Sequence, residues 1–166
     1  IEQAKMHHLQ LVPITGDDEG MLPDELESQH RLKSINGVFL SPSCCNPTTV
    51  MMSERRKAAL AEIIGRCGMI LIEDDIHAFL SAGIIKDYTG PVSRFLPEQS
   101  VYISGTSKPL CSGLRVAYLV FGDRFREQIH SALFNVNVKT SSLDAEIITE
   151  LMLSGKAGEI MSRKRA

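Results

Sequence analysis

The chain has 166 residues, 23% of them charged, and a formal net charge of −2 at pH 7. That balance offers no basic face for nucleic acid and no polybasic run for anionic lipid, and no apolar stretch approaches the roughly 20 residues that a membrane-spanning helix needs. The cysteines Cys44, Cys45, Cys67 and Cys111 include no C-x-x-C pair, so neither a zinc site nor a disulfide scaffold is expected.

From His8 to Ile14 the polarity alternates up to the acidic turn Gly16-Asp17-Asp18-Glu19-Gly20, which predicts a strand. A short helix is expected to start in Leu22-Pro23-Asp24-Glu25-Leu26. Gly37-Val38-Phe39-Leu40 is a brief continuous apolar run, the pattern of a strand buried on both faces, and it leads through Ser41-Pro42-Ser43 to Asn46-Pro47. Ser53 fits the cap of a helix whose buried stripe is Leu60, Ile63, Ile64 and Cys67, with Gly68 as its stop.

Met69-Ile70-Leu71-Ile72 is a second fully apolar strand, and it delivers Glu73-Asp74-Asp75 at its C-terminal end. Beyond an irregular stretch around Gly90-Pro91, Ser100 to Ile103 and Leu114 to Phe121 read as two more strands. Only about ten residues separate them, too few for the helical crossover of a parallel pair, so the last strand is expected antiparallel to its predecessor or elsewhere in a mixed sheet. From Asp123 onward the pattern is helical, with Phe125, Ile129, Leu133, Ile147, Ile148, Leu151 and Leu153 as apolar positions. The start lacks a signal-peptide pattern, which leads to the expectation of a soluble, cytoplasmic protein. The absent initial methionine and the helix-like ending Ser162-Arg163-Lys164-Arg165-Ala166 suggest a fragment of something longer.

Strands alternating with helices argue for a layered α/β domain, and such sheets bind ligands beyond the C-terminal ends of their strands. Asn46, Asp74 and Lys108 all follow strand ends. A lysine that forms a Schiff base needs partners that turn the product into an electron sink. Asp74 is suited to pair with a protonated ring nitrogen, Arg115 to grip a phosphate bidentately with the hydroxyls of Ser104, Thr106 and Ser107, and Asn46 to donate to a phenolate oxygen. Plainer readings stand beside these. Asp74-Asp75 suits a turn or helix cap, Asn46-Pro47 suits a turn without any ligand, and Arg115 suits a surface ion pair.

Four stretches together resemble the pyridoxal 5′-phosphate (PLP)-dependent fold-type I group, the class I and II aminotransferases. They are Pro42 to Thr48, Ile72-Glu73-Asp74-Asp75, Ser104 to Arg115, and Arg115-Val116-Ala117-Tyr118. The resemblance implies a three-layer α/β/α fold with a mostly parallel mixed sheet, of which residues 1–166 would be the central part of the PLP-binding large domain. The phosphate loop upstream and the small domain downstream fall outside the chain. It further implies Lys108 as the Schiff-base lysine, Asp74 as the pyridine-nitrogen partner, Asn46 as the phenolate ligand, and Ser107 and Arg115 as phosphate ligands. His77 stands where many relatives carry a tyrosine that donates to the phenolate, Gly105 where a phosphate-binding hydroxyl is common, and Ser112 where a proline is common.

The stretches Asp123-Arg124-Phe125-Arg126, Leu153-Ser154-Gly155-Lys156-Ala157 and Arg163-Lys164-Arg165 are similar to the aminotransferase-like domain of GntR-family, MocR-type transcription regulators. Three functions therefore stand as expectations. The first is a PLP-dependent aminotransferase acting on an amino acid or related amine, the second an amine-sensing regulator domain, and the third a fragment that binds no cofactor. A homodimer is implied by the resemblance, with no membrane partner and no nucleic-acid contact through this segment.

Overall fold

The computed structural model describes residues 2–85, 88–137 and 139–166. After helix α1 (Glu2–Met6) come a two-residue hairpin, β1 (Gly16–Asp17) and β2 (Gly20–Met21), and helix α2 (Pro23–Lys33). The main body alternates as β3 (Gly37–Leu40), α3 (Glu54–Arg66), β4 (Ile70–Asp74), α4 (Ala78–Ile84), a 3-10 turn at Val92–Phe95, β5 (Ser100–Gly105) and β6 (Ala117–Phe121). A 3-10 turn at Asp123–Phe125 and helices α5 (Arg126–Val136), α6 (Ser142–Leu153) and α7 (Lys156–Arg165) follow.

The sheet order is β3-β4-β5-β6; the first three strands are parallel and β6 runs antiparallel to β5. The short link between the last two strands thus has the consequence expected of it, in the mixed α/β sheet that the sequence led us to expect. Strand alternation sends Val38, Leu40 and Leu71 to one face, where each is no more than 4% exposed and packs in the cluster that holds Leu60 and Ile64 of α3. Ser53 caps α3 as expected, its hydroxyl accepting the Arg56 backbone N–H at 3.2 Å.

Four expectations about local structure need correction. Residues 8–14 form no strand: Leu9 and Leu11 are 62% and 58% exposed, and an alternating pattern without a neighbouring strand has nothing to pair with. The hairpin forms instead within the acidic turn, where the Arg56 guanidinium reaches the carbonyls of Gly20 and Met21 at 3.0 and 2.9 Å and the Asp17 carboxylate at 2.9 Å. β3 and β4 are not buried on both faces, since Phe39 is 61% and Ile72 38% exposed. The last strand begins at Ala117 and not at Leu114, because the carbonyls of Leu114 and Val116 are turned to the hydroxyls of the preceding loop. The stretch read as irregular before β5 contains α4 and a 3-10 turn.

No helix among the described residues is long and apolar enough to cross a membrane. The four cysteines are free thiols, and among the described residues no cluster of His, Cys, Asp or Glu could hold a metal ion.

Candidate cofactor site

Because β3, β4 and β5 are adjacent and parallel, their C-terminal ends open on one edge of the sheet, and each contributes a segment there. Asp74 closes β4, opposite Ile103 in register. One of its carboxylate oxygens, Oδ1, is buried without a hydrogen-bond partner among the described residues. Lys108 is exposed in the turn that follows β5. Asn46 is exposed in the loop after β3, at a cis Asn46-Pro47 peptide bond. His77 is half-buried at the start of α4, and its side chain makes no capping hydrogen bond.

Ser107 and Arg115 meet directly. The guanidinium donates to Ser107 Oγ at 3.1 Å, and that hydroxyl in turn donates to the Leu114 carbonyl at 3.2 Å. Among the described residues Arg115 has no carboxylate partner, so the surface ion pair that could have accounted for it is not formed. Thr106 behaves differently from Ser107. Its side chain is buried, with the hydroxyl 3.0 and 2.9 Å from the Leu114 and Val116 carbonyls, so it closes the loop around Lys108 and is not free to bind phosphate.

The two carboxylates beside Asp74, Glu73 and Asp75, are both buried, and neither was a candidate site residue from the sequence. Glu73 is fully buried, and its two oxygens accept the backbone N–H groups of Val92 and Ser93, both at 2.7 Å. It therefore caps the 3-10 turn that packs on β4 and β5. Asp75, 1% exposed, has no hydrogen bond of good geometry on either oxygen. Burial pushes its carboxyl up to about 6, with Glu73 and Asp74 adding repulsion and Ser43 and Lys57 pulling the other way. The same burial, with Asp75 nearby, raises the Tyr102 phenol to about 12.

The folded-state value of Asp75 lies above its ordinary 3.8, so the folded chain binds this proton more tightly than the unfolded chain. The contribution to stability is present below about pH 4 and is lost as pH rises to about 6. The rise from 3.8 to about 6 corresponds to about 3 kcal/mol, and burying an amide instead costs about 1 kcal/mol. Asp75→Asn should therefore gain about 1–2 kcal/mol at pH 7.5 and flatten the slope of stability between pH 4 and 6, as measured by urea unfolding across that range.

The arrangement suits a phosphorylated, ring-bearing aldehyde. It offers a buried carboxylate oxygen without a partner among the described residues at the end of β4 and, in the loop after β5, an exposed primary amine and a guanidinium bonded to a hydroxyl. These features describe a pyridoxal-phosphate-type site on a fold-type I sheet. The family model for aminotransferase class I and II matches residues 2–160, and the chain belongs to that family, whose cofactor is PLP.

An uncharacterized HTH-type transcriptional regulator of Bacillus subtilis, YdeF, is 32% identical over 153 residues, 92% of this chain and 32% of its own. Aromatic-amino-acid aminotransferase 1 of Thermococcus litoralis is 27% identical over 165 residues, 93% of this chain and 38% of its own. LysN of Thermus thermophilus, an alpha-aminoadipate aminotransferase solved with N-(5′-phosphopyridoxyl)-L-leucine, has the same fold. Its TM-score is 0.81 at 23% identity, over 95% of this chain and 41% of its own. The chain thus spans about a third of the length of the curated relatives it matches.

Proposed function

We propose that the chain is the central part of a PLP-dependent aminotransferase-like large domain, whose phosphate loop and small domain lie in the parts of its relatives that it does not span. In it, Lys108 holds the cofactor covalently. Asp74 would keep the pyridine nitrogen protonated, Ser107 and Arg115 would bind the phosphate, and Asn46 and His77 would stand beside the phenolate oxygen. The observation that carries this reading is the orphaned Asp74 oxygen, on a strand adjacent to the one that ends at the Lys108 turn. Bound PLP supplies an electron sink for cleaving the bond between the α-carbon of an amine and its hydrogen. The Lys108 amine would then accept the α-proton at Nζ and return it, with Asp74 fixing the ring charge throughout. We place the protein in the cytoplasm as a homodimer.

The similarity to the B. subtilis regulator supports a second reading, an amine-sensing effector domain of a GntR/MocR-type transcription regulator that binds PLP without completing turnover. The two separate on incubation of the PLP-loaded full-length protein with a panel of L-amino acids and 2-oxoglutarate. Catalytic formation of glutamate supports the enzyme; a spectral change on amine addition without glutamate supports the sensor. No spectral response to any amine would remove both.

Gly105 offers a separate check. A Cβ there would meet only Ile76 Cγ2 at 3.8 Å and the Val116 carbonyl at 3.9 Å, so a serine fits without strain. Position 105 shares a sheet face with Asp74 through the pairing of Asp74 with Ile103, so the new hydroxyl would face the phosphate side. Gly105→Ser should tighten PLP binding by roughly fivefold, the effect of about 1 kcal/mol from one added hydrogen bond, as read by fluorescence titration.

A further inference from the structure

The Lys108 turn is held from two sides. On one side lie the Thr106 and Ser107 hydroxyls on the carbonyls of Leu114 and Val116. On the other is Lys164 of α7, whose ammonium donates to the Lys108 carbonyl at 3.0 Å and to the Leu110 carbonyl at 2.7 Å, across more than fifty residues of sequence. These carbonyls belong to a tight turn in which Leu110 N–H and Cys111 N–H both bond the Thr106 carbonyl. A cation on the outward carbonyls of such a turn makes charge-assisted bonds at the place where the backbone's negative ends collect.

The next residue extends the hold. Arg165 donates to the Phe79 carbonyl in α4 at 3.1 Å, and its stem lies so close to the same helix that a Cβ on Gly83 would come within 3.1 Å of Arg165 Cδ. One helical end therefore grips both the turn that carries Lys108 and the helix that follows Asp74 and His77. Apolar packing does not do this alone, because a cavity of about 190 Å³ remains between α4, the turn and α6–α7, lined by Phe79, Leu110, Met152 and Met161. The contacts of Lys164 and Arg165 tie together the turn, α4 and α7, three of the elements that border this cavity.

We propose that Lys164 is a positioning residue for Lys108, fixing the backbone of its turn so that the amine is presented to the cofactor in one geometry. The proposal rests on the reading of Lys108 as the cofactor anchor. A lysine amine that must attack a carbonyl gains its rate from being held near the attack geometry, and loosening by about 1 Å costs up to roughly a hundredfold.

The test compares full-length wild type, Lys164→Met, Lys164→Arg and the exposed control Arg163→Ala. Two readouts are used: amide hydrogen exchange of residues 107–114 without cofactor, and the rate at which the visible band of covalently bound PLP develops. Lys164→Met should speed exchange in that turn and slow PLP attachment by roughly ten- to a hundredfold, Lys164→Arg should restore most of both, and Arg163→Ala should change neither. Should Lys164→Met fail to fold, Lys164→Gln, which keeps an uncharged amide donor in place of the ammonium, takes its place with a smaller shift in the same direction. Unchanged exchange and attachment in these variants, with Lys108 labelled, would overturn the role of Lys164 alone. Faster exchange in a protein whose Lys108 never takes up PLP would instead overturn the cofactor reading, and with it the proposal.

Discussion

Asp74→Ala in the full-length protein should weaken PLP binding by roughly ten- to a hundredfold, the equivalent of losing one charge-assisted hydrogen bond worth about 1.5–3 kcal/mol. The reasoning starts from the orphaned oxygen. Oδ1 of Asp74 is buried, accepts nothing from the described residues, and so carries a desolvation cost that an incoming donor relieves. A pyridine N–H is such a donor, and the carboxylate in turn keeps it protonated. Asp74→Asn separates the two effects, because the amide is nearly isosteric but holds no charge. Its binding loss should be smaller than that of the alanine variant, while the absorbance of the bound cofactor becomes that of an unprotonated ring. Equilibrium dialysis with a visible spectrum of each variant checks both statements. Wild-type affinity in Asp74→Ala would mean that the oxygen is merely a buried turn residue.

The largest expected change in stability is at the neighbouring position. Glu73→Ala removes the acceptor of two buried backbone N–H groups, Val92 and Ser93, each bonded at 2.7 Å. Hydrogen bonds to a charged group contribute about 1.5–3 kcal/mol, and the donors left behind carry their own desolvation penalty, so a loss of about 3–5 kcal/mol is expected. At the usual 2–4 °C per kcal/mol for a domain of this size, the melting temperature should fall by on the order of 10 °C. Glu73→Gln keeps one acceptor oxygen and should lose about half as much. Calorimetry of the three proteins decides, and a Glu73→Ala variant as stable as wild type would show that the 3-10 turn finds another cap.

These two residues also show how far the sequence could be read. Glu73, Asp74 and Asp75 are adjacent and chemically alike, yet the structure gives them three situations: a backbone cap, an oxygen open to a ligand, and a buried carboxyl held above its range. The apolar run before them placed all three at the C-terminal end of a strand, and the family resemblance is what pointed to Asp74 among them. Neither could say that Glu73 would cap a turn nineteen residues on, because nothing local links Glu73 to Val92. Ser107 and Arg115 were legible as a pair because a single loop brings them together. Lys164 was not, since its partners lie at Lys108 and Leu110 and only tertiary packing of α7 makes them neighbours.

The antiparallel run of β6 beside β5 was one of the two placements its short link allowed, whereas the lack of a strand at residues 8–14 was not legible, because alternation records the potential of a segment to pair and not the presence of a partner. The irregular stretch before β5 was misread for a related reason. Its 3-10 turn is stabilised by Glu73 from outside the segment and carries no helical period of its own.

The central claim is that Lys108 anchors the cofactor, and one measurement addresses it directly. The full-length protein is incubated with PLP, reduced with borohydride, digested and mapped by mass spectrometry. The account predicts a single phosphopyridoxyl modification, on Lys108. Modification of any other lysine in its place, or none at all after saturation with PLP, would contradict it.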